Sequence, residues 1–374
     1  MLFARRQLEN CLKNTSHDCH PQHGAELNEW PSRILEISEK ERTVKLVAFN
    51  PSSMVMHYTA LSYCWGSKEE LERKPNRMTT KVTHDTYMAT GIPIHDLPLT
   101  IRQAVWITQY LGQRYIWVDS LCIIQDDNSD WEVEALKMAT VYSMATVTII
   151  AASSTSCHSG FRHKGTNSKT AVDFKHLNAI DQRGWTYQEE HLSTRYLKFT
   201  EDDIQWECSA GTICFCGEGA IDQMGRNSDK TRGKIGLKSW NSIVRGFSGR
   251  AFTKQLDKLP AISGLARRYA EWRQEEGTQS RYIAGCWEDR IKGLTDLVWE
   301  VEGSDRISAV VPSPMSYIAP SFAWPSVNMR VHFHDPNTNV QPLCEVVAVR
   351  VHPMSVDKPY GMVSDGELVV RGPL

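Results

Sequence analysis

Tyr115-Ile116-Trp117-Val118-Asp119-Ser120-Leu121-Cys122-Ile123-Ile124 is a nearly continuous apolar run, broken only by one acid and one hydroxyl. Such a run suits a strand buried on both faces, as in a parallel sheet. Upstream, Leu99-Thr100-Ile101 opens a segment that sets Ile101, Ala104, Val105, Thr108 and Leu111 on one stripe at helical spacing, with Gly112 as its stop. Further back, across a polar loop, Tyr58-Thr59-Ala60-Leu61-Ser62-Tyr63-Cys64-Trp65 is a β-prone run closed by Gly66-Ser67. Downstream, the loop Gln125-Asp126-Asp127-Asn128 leads into Ser129-Asp130-Trp131-Glu132, a capping-box pattern. The helix it opens carries Trp131, Ala135, Met138, Tyr142 and Ala145 on one stripe, and Thr146-Val147-Thr148-Ile149-Ile150-Ala151-Ala152 reads as a third buried strand. Strand, helix, strand, helix, strand over residues 58–155 predicts parallel pairing through right-handed crossovers.

The flanks read less regularly. Residues 1–30 are polar and predict a helix followed by a loop, and Arg33 to Phe49 reads as a hairpin. Past Gly160, Trp185 to Ser193 predicts a turn and a short helix. Tyr196-Leu197-Lys198-Phe199 and Ile204-Gln205-Trp206-Glu207-Cys208 form a second hairpin around Glu201-Asp202-Asp203. Residues 209–235 read as loop, 236–300 as mostly helical including Leu259 to Trp272, and 305–374 as antiparallel strands among prolines. The organisation expected is residues 1–50 as N-terminal helix and hairpin, 51–210 as the α/β domain, and 211–374 as a mixed helical then β-rich region.

The chain has 374 residues, 41% hydrophobic and 23% charged, the mix of a globular protein with a sizeable core. Net charge is −2 and no run of basic residues stands out, so neither nucleic acid nor an anionic membrane surface is an expected partner. No stretch approaches the ~18 apolar residues of a membrane-spanning helix, and the N-terminus lacks the apolar core of a secretory signal. A cytoplasmic location with reduced cysteines is therefore expected. The twelve tryptophans are many for this length, and most are assigned to core packing.

In open parallel sheets ligands bind beyond the carboxyl ends of the strands. Those ends carry Trp65, Gly66 and Ser67; then Asp119, Cys122, Gln125 and Asp126; then Ser153, Ser154 and Ser156. Glu134 lies early in the next helix, one residue off its apolar stripe, where partial desolvation would raise a carboxyl toward acid–base duty. Glu134 and Asp119 are the candidate catalytic pair. Trp65, Gly66, Cys122, Gln125, Asp126, Ser153 and Ser154 are the candidate ligand contacts. For Asp119 a structural role at the sheet edge is the competing account, since buried polar groups must be paired in any case. Cys11, His17, Cys19, His20 and His23 cluster, as do Cys208, Cys214 and Cys216 near Glu218. Their spacings fit no standard zinc pattern, so neither a metal nor a cofactor is expected. The chain lacks G-x-G-x-x-G, a Walker loop, H-E-x-x-H and G-x-S-x-G, which lowers dinucleotide dehydrogenases, P-loop ATPases, zincins and common serine hydrolases.

Three blocks carry a resemblance. Tyr58-x-Ala60-Leu61-Ser62-Tyr63-x-Trp65-Gly66 resembles the opening block of the fungal heterokaryon-incompatibility (HET) domain family. Trp117 through Asp127, then Asp130-Trp131-x-x-Glu134, Met138, Tyr142 and Ala145, is similar to its central block. Arg183-Gly184-Trp185-Thr186-Tyr187-Gln188-Glu189, Leu192-Ser193, Arg195 and Leu197-x-Phe199 resembles its closing block. The resemblance covers about residues 58–200. It implies a protein of non-self recognition and programmed cell death, partnered by other HET-type proteins or by itself. It also implies a TIR-like, flavodoxin-like parallel sheet with flanking helices. Some TIR domains cleave NAD with a glutamate on a helix beside the strand ends, a place comparable to that of Glu134. Two readings stay open: an interaction and signalling protein, or an enzyme using the strand-end cleft on a nucleotide or small molecule. The enzyme would be an NAD-cleaving hydrolase or a non-redox catalyst of secondary-metabolite biosynthesis.

Overall fold

The computed structural model describes residues 1–14, 19, 29–54, 57–161, 178–215, 239–302, 316–334 and 343–373. The chain divides into two compact units, Met1–Asp181 with Glu189–Gly233, and Gln182–Gln188 with Lys234–Leu374. The first unit begins with helix α1 (Leu2–Lys13), strands β1 (Arg33–Ser38) and β2 (Thr43–Ala48), and the short helix α2 (Pro51–Met54). Strand β3 (Tyr58–Ser62), helices α3 (Lys68–Arg73) and α4 (His84–Ala89), strand β4 (Ile92–Pro93) and helix α5 (Leu99–Tyr110) follow. Next come β5 (Tyr115–Trp117), the turn-like helix α6 (Asp119–Cys122), α7 (Asn128–Met144) and β6 (Val147–Ile150). Helix α8 (Gly184–Leu192), which falls in the second unit up to Gln188 and in the first from Glu189, leads to β7 (Tyr196–Phe199), β8 (Ile204–Cys208) and β9 (Gly211–Cys214).

These strands build one mixed sheet in the order β4-β2-β1-β5-β3-β6-β7-β8-β9. Its centre is parallel: β3 pairs with β5 and with β6, and β6 with β7. Both wings are antiparallel: β1–β2 and β7–β8–β9 are hairpins joined by short turns, and β4 adds to β2 from a separate segment. The α/β class expected from alternation is thus present. The sheet is not wholly parallel, since β1 pairs antiparallel with β5 and brings the N-terminal hairpin into the same sheet.

Three local expectations differ from the structure. The run from Tyr115 to Ile124 is not one strand; it ends at Trp117 and turns into α6. The Asp119 carboxylate accepts from the Ser120 backbone N–H at 2.6 Å, which favours a helical turn over extension. The cap of α7 is Asp127 rather than Ser129, its carboxylate accepting from the Ser129 and Asp130 N–H groups. A charged oxygen at that position satisfies more than one orphan donor. The buried stripe of α7 runs through Glu134, Met138, Val141, Tyr142 and Ala145, so Glu134 lies within it and not beside it.

The second unit holds helices α9 (Trp240–Ser248), α10 (Pro260–Glu275) and α11 (Glu288–Lys292) with three antiparallel pairs. These pairs are β10 (Tyr282–Ile283) with β11 (Cys286–Trp287), β12 (Trp299–Val301) with β13 (Val331–Phe333), and β14 (Glu345–Pro353) with β15 (Val363–Arg371). Much of the tryptophan goes into its core. The Trp240 ring sits 5.4 Å from Tyr269 and 5.6 Å from Trp287, and Trp240 and Trp324 both donate to the Gly285 carbonyl. Gly285 has φ +97°, and a Cβ there would meet the Trp324 nitrogen at 2.8 Å, so only glycine fits beneath the two indoles. Among the described residues no helix is long and apolar enough to cross a membrane.

Ile149 is fully buried at the middle of β6, so Ile149→Ala should lower the unfolding free energy of the first unit by about 2–5 kcal/mol. Val82→Ala, at an 85% exposed site, should change it by less than about 0.5 kcal/mol, both read from denaturant midpoints. In the second unit Lys258 is buried, donates to the Val327 carbonyl, and burial pulls its pKa down to about 7. An unfolded lysine keeps its proton to ~10.4, so the second unit should gain stability as pH rises from 7 toward 10 and show no further loss from this group below 7. Lys258→Met should flatten that rise; a stability gap between parent and variant that is constant from pH 6.5 to 9.5 would overturn the assignment.

Candidate functional site

Counted along the chain, the four parallel strands lie in the order 2-1-3-4. The chain leaves β3 for one side to form β5 and reaches the other side to form β6. The carboxyl ends of β3 and β6 therefore flank a switch point, the place where open α/β sheets hold their ligands.

Two loops meet there. The chain after β3 carries Tyr63, Cys64, Trp65, Gly66 and Ser67, and the chain after β6 runs from Ala151 to Ser156. Gly66 has φ +118°, and a Cβ would come within 2.9 Å of a Glu70 carboxylate oxygen and 3.0 Å of the Ser156 Cβ. The Ser156 hydroxyl donates to Glu70 Oε1 at 2.5 Å, and the Cys157 N–H donates to the Trp65 carbonyl at 3.1 Å. The loops are thus bonded to each other across the switch point. Ser67 caps α3 and so fixes where Glu70 emerges. Glu70 escapes a strand-end reading because it sits one helical turn beyond the loop.

The carboxyl end of β5 joins this cluster. Trp65 Nε1 donates to Asp119 Oδ2 at 2.9 Å, while Gln125 Nε2 donates to the Asp119 and Ile123 carbonyls at 3.0 and 3.1 Å. Trp65, Asp119 and Gln125 are therefore brought together. Beneath them Tyr63 donates to the Ser120 hydroxyl at 2.9 Å and accepts from Asn76 Nδ2 at 3.1 Å. Burial, reinforced by the charge of Asp119, pushes the Tyr63 phenol well above its ordinary range.

The remaining candidates sit apart from that cluster or below it. Cys122 is wholly buried, and desolvation pushes its thiol up to about 12, so it is a poor nucleophile. Ser154 is buried, donates to the Ser156 carbonyl at 2.7 Å and lies 3.0 Å from the Thr100 hydroxyl. Ser153 donates to the Phe161 carbonyl at 3.4 Å. Asp126 is exposed and accepts from the Lys81 N–H at 2.8 Å, shaping a turn.

Glu134 is 1% exposed. Its carboxylate accepts from the Ser32 N–H at 3.1 Å, the Ser32 hydroxyl at 2.6 Å and the Lys137 ammonium at 2.8 Å. Arg33 adds a parallel tie to the same region, with Nη2 2.7 Å from Asp130 Oδ1 and Nε donating to the Cys122 carbonyl at 2.9 Å. Both contacts pin the start of β1 against α6 and α7, a role that periodicity of α7 alone does not reveal.

A surface cleft of about 600 Å³ lies elsewhere, lined by residues 36–41, Lys45, Gln109 and Gly112–Arg114 at the amino end of β5. Among the described residues two groups of metal-binding side chains converge, Cys11, Cys19 and Cys208, and Glu300, His332 and His334. In the second group Glu300 already pairs with both imidazoles, at 3.2 and 3.1 Å. His17, His20, His23, Cys216 and Glu218 lie outside the described residues.

Replacing either partner of the Trp65–Asp119 bond should destabilise the first unit. A cycle of Trp65→Phe, Asp119→Asn and the double variant should give a coupling energy of about 1–3 kcal/mol from denaturant unfolding. Additivity of the two single changes would show that the bond contributes nothing.

Residues 58–181 match the family model described as Heterokaryon incompatibility protein (HET). The opening and central sequence blocks fall inside that range, and the closing block begins just past it, at Arg183. No curated protein and no solved structure matches the chain.

Proposed function

We propose that the chain is a HET-domain protein of fungal non-self recognition, acting by association with itself or with another HET-type protein and thereby triggering programmed cell death. The match over residues 58–181 supports the family context. The observation that carries association over catalysis is the closure of the switch point by the Ser156–Glu70 and Cys157–Trp65 bonds. A substrate pocket needs concave space with convergent polar groups. Here the convergent groups already satisfy one another. Glu134, the carboxylate that a TIR-like NAD-cleaving reaction would need, is committed to Ser32 and Lys137. On α7, Val133 and Leu136 are 49% and 43% exposed, and a spacing of three makes them neighbours on one helix face. They offer an apolar patch through which a cytoplasmic partner would dock.

The test is incubation of the purified chain with NAD beside a Glu134→Gln variant, together with induced expression of both in a panel of fungal strains. The expected outcome is no nicotinamide release from either protein, and growth arrest in at least one strain with both. Nicotinamide release by the parent and not by the variant would establish the hydrolase instead. Normal growth of every strain would remove the recognition role.

A further inference from the structure

Two cysteine clusters that lie far apart in sequence supply one group in the first unit. The sulfurs of Cys11, Cys19 and Cys208 lie within 4.8 Å of one another, and all three residues are buried. Cys11 ends the buried face of α1, which runs Ala4, Leu8, Cys11. Cys208 closes β8. Its neighbour Ser209 donates its backbone N–H to Cys19 Sγ at 3.3 Å, and its hydroxyl lies 2.8 Å from the same sulfur.

A second observation points the same way. Arg195 is 1% exposed, yet its bonds go to a thiol and two carbonyls. Nε donates to Cys11 Sγ at 3.1 Å, Nη1 to the Thr146 carbonyl at 3.3 Å, and Nη2 to the Cys19 carbonyl. Among the described residues no carboxylate pairs with it. A guanidinium stays charged in any protein, and burying it without a counter-charge is costly. Neutral thiols do not supply that charge.

We propose that Cys11, Cys19 and Cys208 bind a zinc ion as thiolates. Zinc bonded to sulfur at ~2.3 Å in a tetrahedron sets its sulfurs about 3.8 Å apart, so the three need to close by no more than about 1 Å. Binding expels one proton from each thiol. Three thiolates and Zn²⁺ leave one negative charge, which Arg195 balances. The Ser209 N–H and the Arg195 Nε–H are then donors to ligand sulfurs, the outer contacts that orient and stabilise a thiolate site. The site is buried and therefore structural: it clips the last turn of α1 to the end of β8.

The full chain, reduced and stripped of metal with a chelator, is titrated with Co²⁺ as an optical stand-in. A sulfur-to-cobalt charge-transfer band should grow to saturation at one ion per chain, and equimolar Zn²⁺ should abolish it. Cys208→His, which keeps a ligand, should bind one cobalt with the band lowered by about a third, as expected for two sulfur ligands in place of three. Cys344→Ser, at an exposed thiol, should match the parent. Circular dichroism confirms that each variant is folded. A folded, fully reduced parent that shows no such band overturns the site, as does a band unchanged in Cys208→His. A parent that instead forms a disulfide between two of the three cysteines and binds no cobalt after reduction also overturns it.

Discussion

Strand β3 is the element on which the first unit depends. All five of its residues are buried, and it is hydrogen-bonded along both edges, to β5 and to β6. A strand so placed has no face toward water, so a polar side chain there is costly unless paired with protein; of its three polar residues only Ser62 has a hydroxyl without a partner among the described residues. Thr59 meets this requirement by bonding to Thr108 of α5 at 2.6 Å. Tyr58 meets it by donating to the Val141 carbonyl of α7 at 2.8 Å. The crossover helices are thereby tied to the same strand they flank, and the direction of β3 sets which loops gather at its carboxyl end.

That geometry explains why polar residues concentrate at the switch point and why they are spent on one another. Trp65, Gly66, Asp119, Gln125, Glu70 and Ser156 come from several segments of sequence and meet because three parallel strands end side by side. Their hydrogen bonds join loop to loop. Loops bonded to one another in this way hold Trp65, Asp119 and Glu70 in fixed positions at the half-buried carboxyl end of the sheet.

Glu134 shows how much a carboxylate's role depends on its partners. Its place near the start of a helix beside the strand ends suits an acid or a base. The Ser32 and Lys137 contacts make it the anchor that holds the first strand of the hairpin to α7. Burial alone does not separate these roles, because both require desolvation. The hydrogen-bond partners separate them, and one of these, Ser32, comes from a segment 102 residues away in the chain.

The sequence by itself determined the α/β alternation, the helix from Leu99 to Tyr110 with its stop at Gly112, both hairpins, and the family resemblance that residues 58–181 bear out. These are local properties: periodicity, turn residues and apolar runs act over a few residues. The strand stops short of the Tyr115–Ile124 run's end, since hydropathy does not distinguish a strand from a strand followed by a helical turn; the Asp119 carboxylate, bonded to the Ser120 N–H, favours the turn. Only the tertiary structure decided how the hairpins join the parallel centre, the bonds that link the loops at the switch point, the pairing of Glu134 with Ser32, and the meeting of Cys11 and Cys19 with Cys208. Each of these joins residues distant in sequence. Their proximity depends on strand order, which no local pattern encodes.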